Sequence, residues 1–250
     1  MTFRRRAVPP QRYYRSDLAL AHHRGYGFHA DACAPGILTL LDPVRERGGL
    51  VLELGCGSGA LTCHLVEAGH QVLATDASTA MLELARANVP QAEVRQIVLP
   101  DDSLPECDAV VSVGHVLSYL PDEASIERAL VAAARALRAG GVLAIDLLDL
   151  HYGDDLDGTE TRSRIGEDWA VAVKLSRPEE RLYVREITTF LRNEDGSWRR
   201  DDERHENTLV ETTRIPALLA EHGLAARVAE SFGTEELPHG LVAIVGNRRL

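Results

Sequence analysis

Residues 50–59 read LVLELGCGSG, and this stretch decides the fold. Its first five residues form a short apolar run of the kind that is buried in a parallel sheet. Glycines then occupy positions 55, 57 and 59, where a backbone turns tightly or lies against a ligand. Leu61 and Leu65 follow at helical spacing. The stretch therefore predicts a strand, a glycine turn and a helix whose N-terminal N–H groups bind an anionic group.

Strands and helices alternate on both sides of this unit. Short apolar runs recur along the chain, and amphipathic segments separate them. The predicted strands are 50–54, 72–75, 93–99, 109–113 and 142–146, and the predicted helices cover about 35–48, 61–68, 79–88 and 126–137. This alternation predicts an α/β fold with a doubly wound, Rossmann-like, seven-stranded and mostly parallel sheet, completed by strands near 225–232 and 241–245.

The pattern changes after residue 150. Three apolar or alternating segments follow, at 169–175, 182–191 and 198–207. Turn residues separate them, and no segment with a helical period lies between them. We therefore expect an antiparallel β insertion after strand five, lying over the substrate site. The expected division is an N-terminal lid segment (1–33), a core (34–150 and 208–250) and the insertion (151–207).

The glycine turn by itself leaves two ligand classes open. Residues 55–60 satisfy the G-x-G-x-x-[GA] dinucleotide fingerprint, in which the turn holds a pyrophosphate. Asp76 follows the second strand and suits a ribose diol in either class. Glu53 separates the two, because a carboxylate beside the turn disfavours a pyrophosphate and favours a cationic amino group. Ser78 suits a helix cap, and Met81 can place its thioether against an adenine ring.

Taken together, these motifs resemble those of the class I S-adenosylmethionine-dependent methyltransferases of the small-molecule type. Residues 51–59 are similar to the first motif of that family, 75–78 to its acidic motif, 108–112 with 120–122 to its fourth-strand segment, and 137–143 to its start of strand five. The resemblance implies transfer of a methyl group from S-adenosyl-L-methionine to N or O of a small-molecule acceptor.

The same resemblance assigns residues to the cofactor. The glycines would lie along its methionine part, Glu53 would help to hold its ammonium end, and Asp76 would bind the ribose hydroxyls. Many family members carry an acid after strand three for the adenine amine; here the Leu99 backbone is expected to take that place, with Asp101 or Asp102 as alternatives. The expected cofactor set is Tyr14, Glu53, Gly55, Cys56, Gly57, Gly59, Asp76, Ala77, Met81, Leu99, Gly114 and His115.

Catalytic candidates follow the fourth strand. Methyl transfer mainly requires alignment of the reacting atoms, and a base is needed only where the nucleophile arrives protonated. His115 is the candidate base or substrate orienter, and the alternative is a histidine that contacts the cofactor through its backbone or packs against the next helix. Tyr119 is a candidate hydrogen-bond donor, with a core tyrosine as the alternative. Since no metal-site spacing is found, no metal is expected.

Substrate contacts are expected from the N-terminal segment, the loop after strand five and the insertion. The N-terminal segment mixes aromatic and polar residues and would act as a lid over the cofactor, or alternatively pack on the sheet edge. In the insertion, His205 shares a strand face with Glu203, so both side chains could point into a substrate chamber. The insertion could equally form a homodimer surface. The substrate-binding candidates are His23, Tyr26, His151 and His205.

Composition excludes several partners. The 250 residues carry 38 acidic and 27 basic side chains, a net charge of −11, which disfavours nucleic acid and anionic membranes. Five arginines within the first fifteen residues favour a solvated arm over a nucleic-acid arm. No apolar run approaches the roughly 18 residues of a membrane span. The 4 cysteines have no paired spacing and are read as reduced thiols, which predicts a cytoplasmic protein.

Two other functions use the same features. One is an NAD(P)-dependent oxidoreductase that uses the glycine turn, and Glu53 argues against it. The other is a non-catalytic, methyltransferase-like module that binds the cofactor without turnover. The leading hypothesis remains a methyltransferase.

Overall fold

The computed structural model describes residues 13–249, which form two β-sheets covered by helices. The first half of the chain contains α1 (Ser16–Gly25), α2 (Phe28–Glu46), β1 (Leu50–Leu54), α3 (Ala60–Glu67), β2 (Gln71–Asp76), α4 (Thr79–Asn88), β3 (Glu93–Gln96), β4 (Cys107–Ser112), a 3-10 turn (Val116–Tyr119) and α5 (Glu123–Ala136). The second half contains β5 (Leu137–Leu148), β6 (Thr159–Ile165), β7 (Trp169–Glu179), β8 (Leu182–Arg192), β9 (Trp198–Thr208), α6 (Ile215–Ala220), β10 (Leu224–Ala229) and β11 (Leu241–Arg248).

The larger sheet has seven strands within the described residues, in the order β10-β11-β5-β4-β1-β2-β3. Strands β1 to β5 run parallel, and β11 pairs antiparallel with both β5 and β10. The expected fold class is confirmed. The order reverses between β1 and β4, so their carboxyl ends border the crevice in which doubly wound sheets bind ligands.

Helices cover both faces of this sheet. On one face, Val51 of β1 packs in a buried cluster with α2, α3 and α4. On the other, the next residue, Leu52, packs with α5 and α6. Because successive side chains of a strand point to opposite faces, an apolar run such as β1 is buried on both sides.

The insertion forms a second sheet, with antiparallel neighbours in the order β6-β7-β8-β9. Arg185 of β8 lies opposite His205 of β9, and Tyr183 lies opposite Asn207. Directly opposed residues share a face, and so do alternate residues of one strand. The face that carries these four side chains is called the inner face below, because Tyr119 of the larger domain contacts it.

Several element boundaries differ from the sequence prediction. Helix α1 was not predicted, because only Leu18, Ala19 and Ala21 are buried along it and they give no clean period. Helix α2 begins at Phe28 rather than near Pro35, which lies inside it. Strand β6 was missed because it is exposed almost throughout and shows no apolar alternation. Strand β3 is shorter than predicted and β5 is longer.

Residues 13–249 contain neither a membrane-spanning helix nor a cluster of metal-binding side chains. No helix in that range is long and apolar enough to cross a membrane. No group of three or more His, Cys, Asp or Glu side chains in the same range is arranged to hold a metal ion. The predicted arginine-rich arm falls mainly on residues 1–12, outside the described residues; Arg15, which is described, binds Asp201 with an N–O distance of 2.6 Å.

Candidate active site

The glycine turn after β1 has the conformation that its sequence predicts. Gly55, Gly57 and Gly59 have φ angles of 70°, 55° and 91°, in the left-handed region that favours glycine. A Cβ at Gly55 would clash with the side chain of Val116, whereas at Gly57 it would meet only the Met81 sulfur, at 4.0 Å. Gly57 therefore leaves room for a ligand against the backbone, and Gly55 makes room for the segment after β4.

Asp76 ends β2 and ties the turn to the next helix. Its Oδ2 accepts a hydrogen bond from the Gly57 N–H at 3.0 Å, and its Oδ1 accepts one from the Ser78 N–H at 2.7 Å. Ser78 in turn caps α4 through the Met81 N–H. Burial raises the pKa of Asp76, and the backbone N–H donors oppose that rise.

Glu53 lies in β1 and is 2% exposed. The Thr62 hydroxyl of α3 donates to its Oε2 at 2.7 Å. Burial raises the pKa of Glu53 from 4.5 to about 7, while the Thr62 hydrogen bond lowers it. A second carboxylate, Asp76, adds to the rise through charge repulsion. This pair makes the region of the turn favourable for a cation and unfavourable for an anion.

A cavity of about 470 Å³ opens at the carboxyl ends of the strands. This volume lies within the range of small-molecule and cofactor sites, roughly 300–1,000 Å³. The expected cofactor or catalytic residues that line it are Tyr14, Gly55, Gly57, Asp76, Ala77, Met81, Leu99, Gly114 and Tyr119. The described residues that were expected there but do not line it are Glu53, Cys56, Gly59 and His115.

Asp146 near the end of β5 organises the segment after β4. Its carboxylate is fully buried and accepts hydrogen bonds from the Gly114 N–H at 2.8 Å and the His115 N–H at 2.6 Å. It also lies 2.9 Å from Nε2 of His29 in α2. His115 has a φ angle of 50°, a strained value for a residue with a side chain. Its ring lies nearly parallel to that of Tyr119, with centroids 5.6 Å apart.

A row of polar side chains connects the cavity to the inner face of the insertion. The hydroxyl of Tyr14 lies 2.9 Å from that of Tyr119. The Tyr119 hydroxyl lies 3.3 Å from Nδ1 of His205, whose Nε2 lies 2.9 Å from Oε2 of Glu203. Glu203 also accepts the backbone N–H of Arg15 at 2.8 Å, which fixes the segment that carries Tyr14.

Three substrate candidates lie away from this row. His23 of α1 lies 3.1 Å from the Ser58 hydroxyl, beside the glycine turn. Tyr26 packs with Trp169 of β7 and under the guanidinium of Arg164. His151 is exposed. Of the residues that line the cavity, none is His23, Tyr26 or His151.

Sequence reasoning missed two polar side chains on the inner face. The guanidinium of Arg185 donates to the Tyr119 hydroxyl and lies over the Tyr119 ring. Asn207 is fully buried. The spacing along β8 could have revealed Arg185. Residues 183, 185 and 187 are every second residue of the strand, so Arg185 shares the inward face of Tyr183 and Ile187.

A methyltransferase domain family matches residues 51–141, from β1 into β5. The match covers the glycine turn, Asp76 and the segment after β4, which line most of the cavity. The chain is an S-adenosylmethionine-dependent methyltransferase.

Similar proteins extend the likeness over the whole chain. The sugar N-methyltransferase from Streptoalloteichus sp ATCC 53650 superposes with a TM-score of 0.75 at 26% identity, over 100% of this chain and 99% of that one. A protein of Geobacillus sp. (strain WCH70) that carries the name of a methyltransferase is 26% identical over 78% of this chain and 81% of its own. Trans-aconitate 2-methyltransferase from Azoarcus sp. (strain BH72) is 38% identical over 41% of this chain and 40% of its own.

The cofactor of this methyltransferase is S-adenosyl-L-methionine, and the residues present fit it. Gly57, whose backbone is open to a ligand, and Asp76 both line the cavity. Glu53 and Asp76 suit the ammonium and sulfonium charges of this cofactor, whereas the pyrophosphate of a nicotinamide cofactor would be repelled. When bound, the cofactor supplies a methyl group that its sulfonium activates.

Proposed function

We propose that this methyltransferase transfers the methyl group to an amino nitrogen of a small polar acceptor, and that Tyr14, Tyr119 and His205 remove a proton from that nitrogen. The observation that carries the proposal is the polar row from Glu203 to Tyr14 at the cavity wall. Displacement at the methyl carbon needs a lone pair on the nitrogen, which an ammonium group lacks. A row of proton acceptors that ends in the cavity can remove the proton from that ammonium group.

Donor chemistry assigns the protons along the row. A carboxylate only accepts, so Nε2 of His205 carries its proton and donates to Glu203. Nδ1 of His205 then accepts from the Tyr119 hydroxyl, and the Tyr119 oxygen accepts from Tyr14. When the acceptor gives a proton to the Tyr14 oxygen, each proton in the row moves one place, and His205 becomes an imidazolium that Glu203 stabilises.

The electrostatics keep His205 able to accept a proton at neutral pH. Burial lowers the pKa of His205 below 6.5, and Arg185 lowers it further, whereas Glu203 raises it. Burial also holds the pKa of His115 well below 6.5. We assign His115 to the positioning of Tyr119, on which it stacks; His115 as the base is the competing assignment.

The choice of nitrogen is also supported by the sugar N-methyltransferase, which resembles this chain over its whole length. We further propose the cofactor contacts expected from the sequence: Glu53 to the ammonium end, Asp76 to the ribose hydroxyls, Met81 to the adenine ring and the Leu99 backbone to the adenine amine. In this proposal the N-terminal segment acts as a lid, of which only residues 13–33 are described by the structure, and residues 151–207 close the acceptor side.

Two further assignments complete the proposal. The four cysteines are free thiols within the described residues, which supports a cytoplasmic location. The outer face of the insertion is the proposed surface for a homodimer. A small molecule, rather than nucleic acid, is the proposed acceptor, because the net charge is −11.

The test is a screen for methylated products by mass spectrometry, with the purified protein, the cofactor and a panel of small polar amines. His205→Ala should lower kcat by roughly 10²-fold or more, the contribution of a general base, with cofactor affinity unchanged. In the wild type, kcat should rise with pH through the lowered pKa of His205, so the acid limb lies below pH 6.5.

His239→Ala is the matched control, because His239 is an exposed histidine whose partner is Asp154. It should leave kcat and the pH profile unchanged. His115 would be the base if His205→Ala kept full activity and the wild-type acid limb of the pH profile, while His115→Ala lost both the activity and that acid limb. Cofactor binding without transfer to any class of acceptor would favour the non-catalytic module.

A further inference from the structure

The inner face of the insertion carries a cation that methyl transfer does not require. Arg185 lies on β8 opposite His205, and its guanidinium donates to the Tyr119 hydroxyl. Its Nε is buried and has no hydrogen-bond partner. Among the described residues, no carboxylate lies within 4.0 Å of the Arg185 guanidinium.

A second polar side chain beside it is also unsatisfied. Asn207 is 0% exposed, and neither its Oδ1 nor its Nδ2 has a hydrogen-bond partner. It lies two residues after His205 on β9, so it is a diagonal neighbour of Arg185 on the same face. Buried polar atoms in native proteins nearly always have partners, so two adjacent exceptions point to a ligand that supplies them.

The nearby carboxylate does not fill this role. Glu203 shares the inner face, but its Oε1 accepts from the Arg15 N–H and its Oε2 faces His205. The nearby histidine His22 adds no charge to this region. Burial lowers the pKa of His22 to about 4, so its ring is neutral at pH 7. Arg185 is half-buried and its guanidinium stays charged at any pH the protein meets, so an anion placed beside it would form a charge-assisted hydrogen bond.

We propose that the acceptor carries a carboxylate that binds Arg185 and Asn207, with its amino group directed to Tyr14. This inference rests on the proposed function and names the substrate class as small amino compounds with a carboxylate. The guanidinium donates to one or both carboxylate oxygens, and the Asn207 amide N–H donates to one of them. One guanidinium and one amide match a single negative charge, whereas a phosphate or diphosphate usually draws several basic groups.

The test is an anion titration of the full-length protein that needs no methyl transfer. Sodium acetate and inorganic phosphate are added separately at constant ionic strength, and the Tm is followed. Acetate should raise the Tm of the wild type in a saturable manner. In Arg185→Gln the apparent affinity for acetate should fall by about tenfold or more, as expected for the loss of a charged hydrogen bond.

The matched control is Arg204→Gln, on the outer face of β9. Arg204 is exposed and pairs with Glu186 and Glu206, so acetate should act on this variant as on the wild type. Asn207→Leu supplies a second measurement. Because it removes two unsatisfied buried polar atoms, it should raise the Tm without acetate and weaken the response to acetate.

Three results would overturn the proposal. A response to phosphate but not to acetate would mean a phosphoryl group in place of the carboxylate. Arg185 would be a structural residue if Arg185→Gln lowered the Tm and neither acetate nor phosphate changed the Tm of the wild type. A lower Tm in Asn207→Leu with acetate affinity unchanged would remove Asn207 from the site. Failure of the methylation screen leaves the titration readable, so the two proposals fail separately.

Discussion

Glu53 is a buried carboxyl that should lose its proton when the cofactor binds. In the protein alone, burial raises its pKa to about 7, so it is about half protonated at pH 7 and about nine-tenths protonated at pH 6. The ammonium group of the cofactor favours the charged carboxylate and lowers that pKa again. The Glu53 carboxyl should therefore release about 0.9 proton at pH 6, about 0.5 at pH 7 and about 0.1 at pH 8.

Calorimetry measures this release directly. The cofactor is titrated at pH 6 in buffers of different ionisation enthalpy, and the slope of the observed enthalpy gives the number of protons released. An amino group with an ordinary pKa of about 7.7–8.0 is already protonated at pH 6, so the cofactor itself contributes little. Enthalpies that do not depend on the buffer at pH 6 would refute the assignment of Glu53 to the ammonium end.

Glu53→Gln is the control, because an amide keeps an acceptor for the Thr62 hydroxyl. It should abolish the release and weaken binding. The unbound protein should also change in stability, since a carboxyl whose pKa rises on folding contributes stability below pH 4.5 that is lost as the pH passes 7. The difference from 4.5 to about 7 corresponds to about 3 kcal/mol, so Glu53→Gln should raise the Tm of the unbound protein at pH 8.

Two further substitutions test the turn itself. Asp76→Ala should weaken cofactor binding by about 10²-fold, since it removes the hydrogen bond from the Gly57 N–H and the proposed hydrogen bonds from the ribose hydroxyls, and calorimetry measures this change. Unchanged affinity would contradict the proposed ribose contact. Gly55→Ala should lower the Tm more than Gly48→Ala does, because both residues have positive φ but only Gly55 faces Val116, with nothing within 4 Å of a Cβ at Gly48. Each 1 kcal/mol should lower the Tm by about 2–4 °C in a chain of this size, and equal losses would show that φ alone matters.

The large sheet could be predicted from sequence because its strands carry their own signals. Strand β1 is apolar apart from Glu53 and is followed by glycines, and α5 has apolar residues at helical spacing before Gly140. Helix α1 and strand β6 lack such signals. The buried positions of α1 include two alanines, and β6 lies at the edge of its sheet with its side chains in solvent. Tertiary contacts rather than local pattern decide both elements.

The two halves of the site differ in the same way. The cofactor half depends on neighbours along the chain, such as Asp76 and Ser78, so residue types at fixed spacing are enough to predict it. The acceptor half joins distant segments: the Arg15 N–H meets Glu203 across 188 residues of chain, and Tyr119 meets His205 across 86. Residue spacing along one strand does not show which distant segments meet, so the contact of Arg185 with Tyr119 could not be predicted.

The charged side chains of the site would each meet a partner of opposite charge. In the proposed arrangement Glu53 faces the ammonium end of the cofactor, and Arg185, which contacts the Tyr119 hydroxyl, lies on the acceptor side. Methylation of an amine moves positive charge from sulfur to nitrogen, and therefore towards Arg185. That movement is opposed unless a proton leaves the nitrogen and an anion stands beside the guanidinium. The row ending at His205 would remove that proton, and an acceptor carboxylate would supply that anion, so the two proposals support each other although each is tested separately.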